Sequence, residues 1–253
     1  FHLPGFVGRI GRAIAQRRLR ASCAAVWGIG EWAVEGYRRE FGDRLFLNVP
    51  YFRDLSRYLA IPREATREGP TRFLFSGDLS RRKGVDLLGE AFLELSRAGV
   101  EARLSLLGDG EWRADLQRRL APLGDRVAFL GFRQWSELPD LYASHDALCA
   151  PSRHDGWGLI VPEGLAAGMP VIATRAMGAA RDLVDVANGW ICPPDDSAAL
   201  AEAMAACAAL DGPARRAMIV AGREAARRVD LPAGVERFHD AVERTLVHAA
   251  RGR

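Results

Sequence analysis

The order of hydrophobic segments is the feature that most constrains the fold of this chain. From about Thr71 onwards, short apolar runs alternate with longer amphipathic stretches. The runs are continuous apolar blocks, which is typical of strands that are buried on both faces of a parallel sheet. The predicted strands are Arg72–Phe75, Arg103–Leu107, Val127–Leu130, Ala147–Ala150 and Val171–Ala173, with a weaker one at Trp190–Ile191.

The stretches between these strands have the residue spacing of helices that bury one face. The predicted helices are Val85–Ala98, Trp112–Leu123, Ser136–Ser144, Ser197–Ala209 and Pro213–Arg228. An alternation of strands and helices predicts an α/β fold, in which a Rossmann-like parallel sheet carries helices on both faces. In such a sheet, ligands bind at the carboxyl ends of the strands.

The first seventy residues differ from this pattern and divide the chain into domains. A strand at Ala24–Gly28, a helix near Glu31–Phe41 and a strand at Leu45–Asn48 indicate that residues 1–50 are the remnant of a second α/β domain. Residues 51–70 carry charges and prolines and are predicted to be a linker. Residues 71–230 form the Rossmann-like domain, and residues 231–253 are a terminal helix that packs back toward the N-terminal domain. Because the sequence starts with Phe rather than Met, we expect a fragment of a longer protein.

The composition excludes several classes of protein. With 49% hydrophobic and 26% charged residues, the chain has the make-up of an ordinary globular protein. A formal net charge of +3 is too small to indicate a nucleic-acid partner. The four cysteines show no metal-ligand spacing, and Cys149 and Cys192, which lie inside apolar runs, are expected to be buried core residues in a reducing compartment. The four cysteines are Cys23, Cys149, Cys192 and Cys207.

A membrane-spanning segment is not expected, because no apolar run reaches the roughly 18 to 20 residues that a bilayer requires. Arg9–Arg20 reads as a basic helix with a small apolar stripe. Such a helix could contact an anionic membrane surface. A solvated helix of the N-terminal domain is the interpretation that we favour.

The segment Pro151–Ile172 carries the chemistry, because it follows a predicted strand and contains a glycine loop. Gly156 and Gly158 allow backbone amides to approach a ligand closely. A short helix follows, and its start would present amides to a diphosphate. Glu163 is the one charged residue between Gly156 and Ile172. Its carboxylate would accept either the paired hydroxyls of a ribose or backbone amides, and both alternatives stay open on physical grounds.

This segment resembles the acid-x7-acid signature of the family-4 glycosyltransferases. The matching residues are DGWGLIVPEGLAAGMPVIA, in which Asp155 and Glu163 are eight positions apart. Family members have two Rossmann-like domains that face each other across a cleft, the GT-B architecture. The first acid of the signature is usually Glu, and in this chain it is the shorter Asp155.

Further segments resemble the same family in the same order. FLFSGDLSRRKGVDLLGEAF, at Phe73–Phe92, resembles the first donor-domain strand, its phosphate loop with Gly77, and the helix that follows. Lys83 falls where the family has a diphosphate-binding lysine. Where the family often has Arg, this chain has Asp78, and Arg82 or Arg81 could replace that arginine or be solvated. The remaining matches are Leu106–Trp112, Phe129–Ser152 and Asn188–Asp196.

The resemblance implies a retaining glycosyltransferase that transfers a sugar from a nucleoside-diphosphate sugar to an acceptor hydroxyl. Lys83 would stabilise the departing diphosphate and Asp155 would orient the donor sugar, while neither a metal nor a further cofactor is expected. Trp157 is expected to be a cleft wall or core residue rather than a stacking platform. The implied donor-binding residues are Glu163, Arg82, Gly77, Gly156, Trp157, Gly158 and Leu159.

The resemblance leaves the acceptor and the context of the reaction open. The acceptor could be a carbohydrate, a lipid-linked sugar or a small molecule. The expected location is the cytoplasm, where the protein could be free or peripherally bound to the inner membrane face. Polysaccharide or glycolipid biosynthesis is the expected context. A nucleotide-binding module without transferase activity is the alternative function, and a sugar-nucleotide epimerase is a more distant one. A catalytic pair of His154 and Asp155 is disfavoured, because adjacent residues of an extended loop point apart.

Overall fold

The computed structural model describes residues 24–41, 44–64 and 69–251. These residues form two compact units, one containing residues 24–50 and 235–251 and the other containing residues 51–234. The basic helix predicted at Arg9–Arg20, and Cys23, lie outside the described residues. Within the described part, no helix is both long enough and apolar enough to cross a membrane.

The first unit is a small α/β arrangement. Strand β1 (Ala25–Gly28) pairs in parallel with strand β2 (Leu45–Asn48), and helix α1 (Glu31–Phe41) connects them. The Trp27 ring meets the Phe238 ring edge-on at a centroid distance of 5.4 Å. Residues 235–251 belong to the same unit.

The second unit contains most of the regular structure. Its helices are α2 (Ser56–Leu59), α3 (Val85–Arg97), α4 (Arg113–Leu120), α5 (Leu138–Ala143), α6 (Ile160–Ala166), α7 (Gly178–Leu183), α8 (Ser197–Ala208) and α9 (Gly212–Arg227), and α10 (Leu231–Arg251) begins there. Its strands are β3 (Thr71–Ser76), β4 (Ala102–Leu107), β5 (Val127–Gly131), β6 (Ala147–Ala150), β7 (Val171–Thr174) and β8 (Gly189–Cys192). Short 3-10 segments lie at Arg81–Lys83, Ala121–Arg126 and Trp135–Glu137.

The six strands of the second unit form one sheet with the order β5-β4-β3-β6-β7-β8. Every pairing in this sheet is parallel. The chain moves outward from β3 to β5, then crosses over to β6 and moves outward in the opposite direction. This is the Rossmann strand order, and it creates a switch point between β3 and β6, where ligands bind in such folds.

Side chains of β3 show that both faces of the sheet are covered. Phe73 and Phe75 belong to a core cluster with Leu88 and Phe92 of α3. Leu74 is fully buried but lies outside that cluster, because successive side chains of a strand point to opposite faces. The predicted α/β fold with a parallel sheet between helices is confirmed.

Residues 51–64, which the sequence presents as part of a linker, pack onto the second unit. Leu55 and Tyr58 are buried. Arg63 donates hydrogen bonds to the carbonyl oxygens of Ala167, His145 and Tyr142 at 2.5, 2.5 and 2.7 Å. Burial lowers the pKa of the Arg63 guanidinium to about 10. The segment is thus fixed to the helices that follow β5 and β6.

Candidate functional site

The candidate site lies at the switch point of the sheet, where the loops after β3 and β6 meet. Lys83 ends the 3-10 turn that follows β3, and Asp155 lies in the loop that follows β6. An added Cβ on Gly84 would lie only 2.0 Å from the carbonyl oxygen of Pro151. Gly84 also has a φ of 70°, in the left-handed region that favours glycine. Glycine at this position therefore lets the two loops touch.

Lys83 and Asp155 form an ion pair across the two loops. The Lys83 Nζ atom lies 2.6 Å from the Asp155 Oδ2 atom, and both side chains are about 15% exposed (15% and 14%). The other carboxylate oxygen accepts a hydrogen bond from the backbone N–H of Trp157 at 3.3 Å. The backbone of Asp155 is held by Ala176 and Gly178 at 3.1 and 3.2 Å. The structure thus brings together the two residues to which the resemblance assigns catalytic roles.

Arg153 joins these loops, although no sequence pattern indicated this role. Its guanidinium donates to both carboxylate oxygens of Asp86, at 2.6 and 2.8 Å, and to the Arg81 carbonyl oxygen at 2.7 Å. It also contacts the carboxylate of Asp195. Hydrogen bonds to Asp86 and Asp195 raise the pKa of Arg153 above its ordinary value. Two residues before Asp155, Arg153 therefore anchors the β6 loop to the start of α3.

Glu163 occupies a separate, buried position in the first turn of α6, and only 2% of the residue is exposed. Arg53 donates a hydrogen bond to its Oε1 atom, and the Tyr142 hydroxyl donates to its Oε2 atom at 3.0 Å. Burial raises the pKa of Glu163, while Arg53 and Tyr142 act in the opposite direction. The alternative prediction of backbone amides as partners is wrong, since both hydrogen bonds come from side chains.

Two tyrosines complete the surroundings of Glu163. The rings of Tyr58 and Tyr142 meet edge-on at 5.2 Å, and the Arg53 guanidinium lies 5.8 Å from the centre of the Tyr58 ring. The buried Tyr58 hydroxyl has no hydrogen-bond partner among the described residues. Burial raises the pKa of both phenols, and the negative charge of Glu163 adds to this effect.

The glycine loop after β6 is partly open and partly packed. A Cβ added to Gly156 would meet no atom within 4 Å, whereas one added to Gly158 would lie 2.4 Å from the Met177 side chain. Trp157 is buried, which agrees with its prediction as a cleft wall or core residue, and its indole N–H has no partner among the described residues. Leu159 is exposed.

The remaining predicted residues surround the ion pair from the β3 side. Arg82 is exposed and donates to the backbone carbonyl of His154 at 3.2 Å. Gly77 lines a cavity of about 420 Å³ at the carboxyl ends of β3, β4 and β5. Asp78 and the exposed Phe132 also line this cavity. The predicted donor-binding residues thus lie on the loops at this edge of the sheet, but Glu163 is enclosed beneath them.

Two further expectations concern histidine and metal sites. Asp155 bonds to Lys83 and to a backbone amide, so its described contacts give no pairing with His154. His145 is buried, and its Nδ1 atom lies 2.7 Å from the Leu141 carbonyl oxygen. In the described part of the chain, no group of three or more His, Cys, Asp or Glu residues is arranged to hold a metal ion.

Comparison with known proteins identifies the family. The model of the family described as glycosyl transferases group 1 matches residues 70–209, more than half of the 253 residues. D-inositol 3-phosphate glycosyltransferase from Xylanimonas cellulosilytica is 30% identical over 239 residues, which cover 86% of this chain and 56% of that protein. 2-deoxystreptamine glucosyltransferase from Streptomyces kanamyceticus is 32% identical over 188 residues, which cover 70% of this chain and 48% of that protein.

Solved structures share the fold. The structure of HepE from Anabaena in complex with UDP superimposes with a TM-score of 0.80 at 20% identity, covering 93% of this chain and 68% of that one. The chain spans about half the length of the curated relatives it matches. On the match of the family model, this chain belongs to the glycosyl transferases group 1 family.

Proposed function

We propose that this chain is the donor-binding part of a retaining family-4 glycosyltransferase. The reaction transfers a sugar from a nucleoside-diphosphate sugar to an acceptor hydroxyl. The contact between Lys83 and Asp155 is the observation that carries the proposal. It puts a cation and a carboxylate side by side at the switch point of a Rossmann-like sheet, where ligands bind. The sugar transfer named for both curated relatives and the UDP bound by HepE support the same assignment.

Lys83 has the chemistry that the departing group requires. A diphosphate gains negative charge as the glycosidic bond breaks, and a positioned cation stabilises that charge. In the free protein, the Lys83 ammonium is held by Asp155. A phosphate oxygen that approaches this ammonium can share it, since a lysine ammonium has three donors. The backbone amides around Gly156–Leu159 would contact the same diphosphate.

Asp155 has a second role in this proposal. Its carboxylate can accept hydrogen bonds from sugar hydroxyls while it also holds Lys83, because a carboxylate has about four acceptor positions. One residue would thereby orient the donor sugar and fix the cation beside the scissile bond. The reaction that we propose uses no metal and no cofactor apart from the nucleotide sugar.

The acceptor site is a property of the whole protein and not of this chain alone. Because this chain covers 56% of its relative from Xylanimonas, we expect residues beyond it to supply most of the acceptor site. Carbohydrates, lipid-linked sugars and small molecules are the candidate acceptors. We place the enzyme in the cytoplasm, at or away from the inner membrane face, in polysaccharide or glycolipid biosynthesis.

A nucleotide-binding module without transferase activity is the second candidate. The state of Glu163 favours it, because both carboxylate oxygens are already bonded and the residue is buried. In this candidate, the burial of Glu163 keeps the remaining acceptor positions of its carboxylate away from a ribose. The two candidates differ in whether the protein turns over a nucleotide sugar.

Calorimetric titration with UDP, GDP and ADP tests both candidates. We expect saturable binding of one nucleotide, weaker binding by Glu163→Ala, and slower release of that nucleotide from its sugar conjugate by Lys83→Ala. Arg103→Ala and Asp125→Ala are the controls, because these residues form an exposed ion pair outside the candidate site. If the full-length protein binds the nucleotide sugar but does not turn it over when alcohol acceptors are present, this result would favour the second candidate. Unchanged binding and turnover in both site variants would contradict the whole assignment.

A further inference from the structure

Among the ion pairs that the described residues of the second unit form, the pair of Arg53 and Glu163 has the most buried carboxylate. The Arg53 side chain is 28% exposed, whereas the Glu163 side chain is 3% exposed. Arg53 comes from the segment before β3, 110 positions away from Glu163 in the sequence.

The backbone on either side of Arg53 is fixed to the same unit. The Arg53 N–H donates to the Val229 carbonyl oxygen at 3.4 Å, and the Leu55 N–H donates to the Asp230 carboxylate at 2.9 Å. Leu55 is fully buried. The guanidinium is thus delivered to Glu163 by an anchored segment and not by a free loop.

The charge of Glu163 depends on few neighbours. Burial disfavours an ionised carboxylate unless an opposite charge or hydrogen bonds compensate. Arg53 supplies the charge, and the Tyr142 hydroxyl supplies the second hydrogen bond. Among the described residues, Tyr58 is a further titratable group that interacts with the carboxylate. Arg63 and Arg223 belong to the opposite end of α6, where Arg63 bonds the Ala167 carbonyl.

The bonded carboxylate keeps unused acceptor positions. Each oxygen of an ionised carboxylate has two lone pairs, so one hydrogen bond from Arg53 and one from Tyr142 leave two positions. Two positions match the two neighbouring hydroxyls of a ribose. Tyr142 is also hydrogen-bonded to Ser76, which lines the cavity at the ends of β3 to β5. The carboxylate is therefore connected to that cavity through one tyrosine.

We propose that Arg53 is a positioning residue of the donor site. Its guanidinium orients the Glu163 carboxylate so that the free acceptor positions receive the ribose hydroxyls of the donor nucleotide. This inference rests on the proposed function, in which Glu163 holds the ribose. Arg53 acts through Glu163 and contacts neither the phosphates nor the transferred sugar. Without it, the buried carboxylate takes up a proton and becomes a poorer acceptor.

The experiment compares Arg53→Met, Arg53→Lys and the control Arg57→Met for binding of the nucleotide that the wild type prefers. Arg57 lies in the same segment but bonds the Ser136 carbonyl oxygen at 2.9 Å and not Glu163. We expect Arg53→Met to weaken binding by about tenfold or more at neutral pH, as the loss of a hydrogen bond to a charged group implies. Arg53→Lys should recover most of the affinity, and Arg57→Met should bind as the wild type does.

The pH profile separates positioning from general damage. Loss of a nearby positive charge raises a carboxyl pKa by about 1 to 3, so the pH below which binding weakens should rise by a similar amount in Arg53→Met. In a Glu163→Gln background, Arg53→Met should change binding no further. Equal or tighter binding by Arg53→Met, or an undiminished effect in the Glu163→Gln background, would overturn the inference while leaving the proposed function intact. A wild type that binds no nucleotide would overturn both.

Discussion

The ammonium of Lys83 and the carboxylate of Asp155, 72 positions apart in the sequence, are 2.6 Å apart in the structure. In the free protein, each group therefore neutralises the other at the place where we expect a diphosphate to bind. This relationship predicts opposite effects for the two halves of one ion pair. Lys83→Met leaves a carboxylate that repels the phosphates, whereas Asp155→Asn releases the ammonium to bind them.

We expect Lys83→Met to weaken nucleoside-diphosphate binding by about tenfold or more, and Asp155→Asn to leave it unchanged or tighter. Transfer should be slow in both variants, because Asp155 is also needed to orient the sugar. Calorimetry at low and high salt would measure the first effect, since the gain in Asp155→Asn should diminish as salt screens the ammonium. Parallel losses of nucleotide affinity in the two variants would contradict this prediction.

Arg153 predicts a coupling between two loops. Its paired hydrogen bonds to Asp86, at 2.6 and 2.8 Å, join the β6 loop to α3. We expect Arg153→Met to reduce the free energy of unfolding by about 1 to 3 kcal/mol and to slow transfer, because Asp155 loses its fixed distance to Lys83. A double-mutant cycle with Asp86→Ala, followed by urea unfolding, would measure the coupling. Additive effects of the two substitutions would show that the pair does not act as a unit.

Gly84 predicts a steric effect that a matched glycine lacks. Gly84 and Gly99 both have positive φ angles, of 70° and 77°, but only Gly84 faces a close neighbour, the carbonyl oxygen of Pro151. Alanine in the left-handed conformation costs about 1 to 2 kcal/mol at either position. Gly84→Ala should cost about 1 to 3 kcal/mol more, because the loops must separate. Urea unfolding of both variants measures this difference, and equal losses would contradict the close contact.

For Gly156 we expect the opposite result, because Gly156→Ala should fold normally but bind nucleotide poorly. A Cβ at this position meets no protein atom within 4 Å. The free energy of unfolding of Gly156→Ala should therefore lie within about 0.5 kcal/mol of that of the wild type. If backbone amides of this loop approach the diphosphate, the added methyl group occupies that space, and nucleotide binding should weaken about tenfold. Thermal unfolding and calorimetry on the same sample separate the two effects. Wild-type affinity in this variant would exclude a close approach of the ligand at Gly156.

The sheet was predictable because its signal is local. Ala147–Ala150 was predicted to the residue, and Val171–Ala173 was predicted to within one residue of its end, because buried parallel strands are continuous apolar blocks. The limits of the helix predicted at Trp112–Leu123 were less accurate, since the regular helix ends at Leu120 and a 3-10 segment follows. The packing of residues 51–64 was not predicted, because their charges and prolines resemble those of a free linker.

The site was only partly predictable, because its contacts join residues that are far apart in sequence. Resemblance to a family indicated Lys83 and Asp155 individually, but no sequence spacing indicates that they touch. Arg53 reaches Glu163 across 110 positions, and neither residue carries a local signal of the other. Glu163 alone could have been suspected of such a partner, since a lone acid in an apolar helix requires compensation. The identity of that partner required the structure.

The buried Glu163 predicts how stability depends on pH. Its pKa in the folded protein is raised from 4.5, mainly by burial. The folded protein therefore holds this proton more tightly than the unfolded chain does. As a result, its stability falls as the pH rises from about 4.5 through the pKa of the folded state. Gln at this position cannot ionise, and the Tyr142 hydroxyl can still hydrogen-bond to its amide.

We therefore compare the midpoint of thermal unfolding of Glu163→Gln with that of the wild type at two pH values. The difference, variant minus wild type, should be larger at about pH 8 than at about pH 5. The same variant should bind nucleotide more weakly, because the amide accepts fewer hydrogen bonds than the carboxylate. Gain of stability with loss of binding is the pattern of a residue kept for function. The exposed Glu94→Gln is the control, and it should show neither effect. A difference between Glu163→Gln and the wild type that does not vary with pH would mean that burial imposes no cost on ionised Glu163.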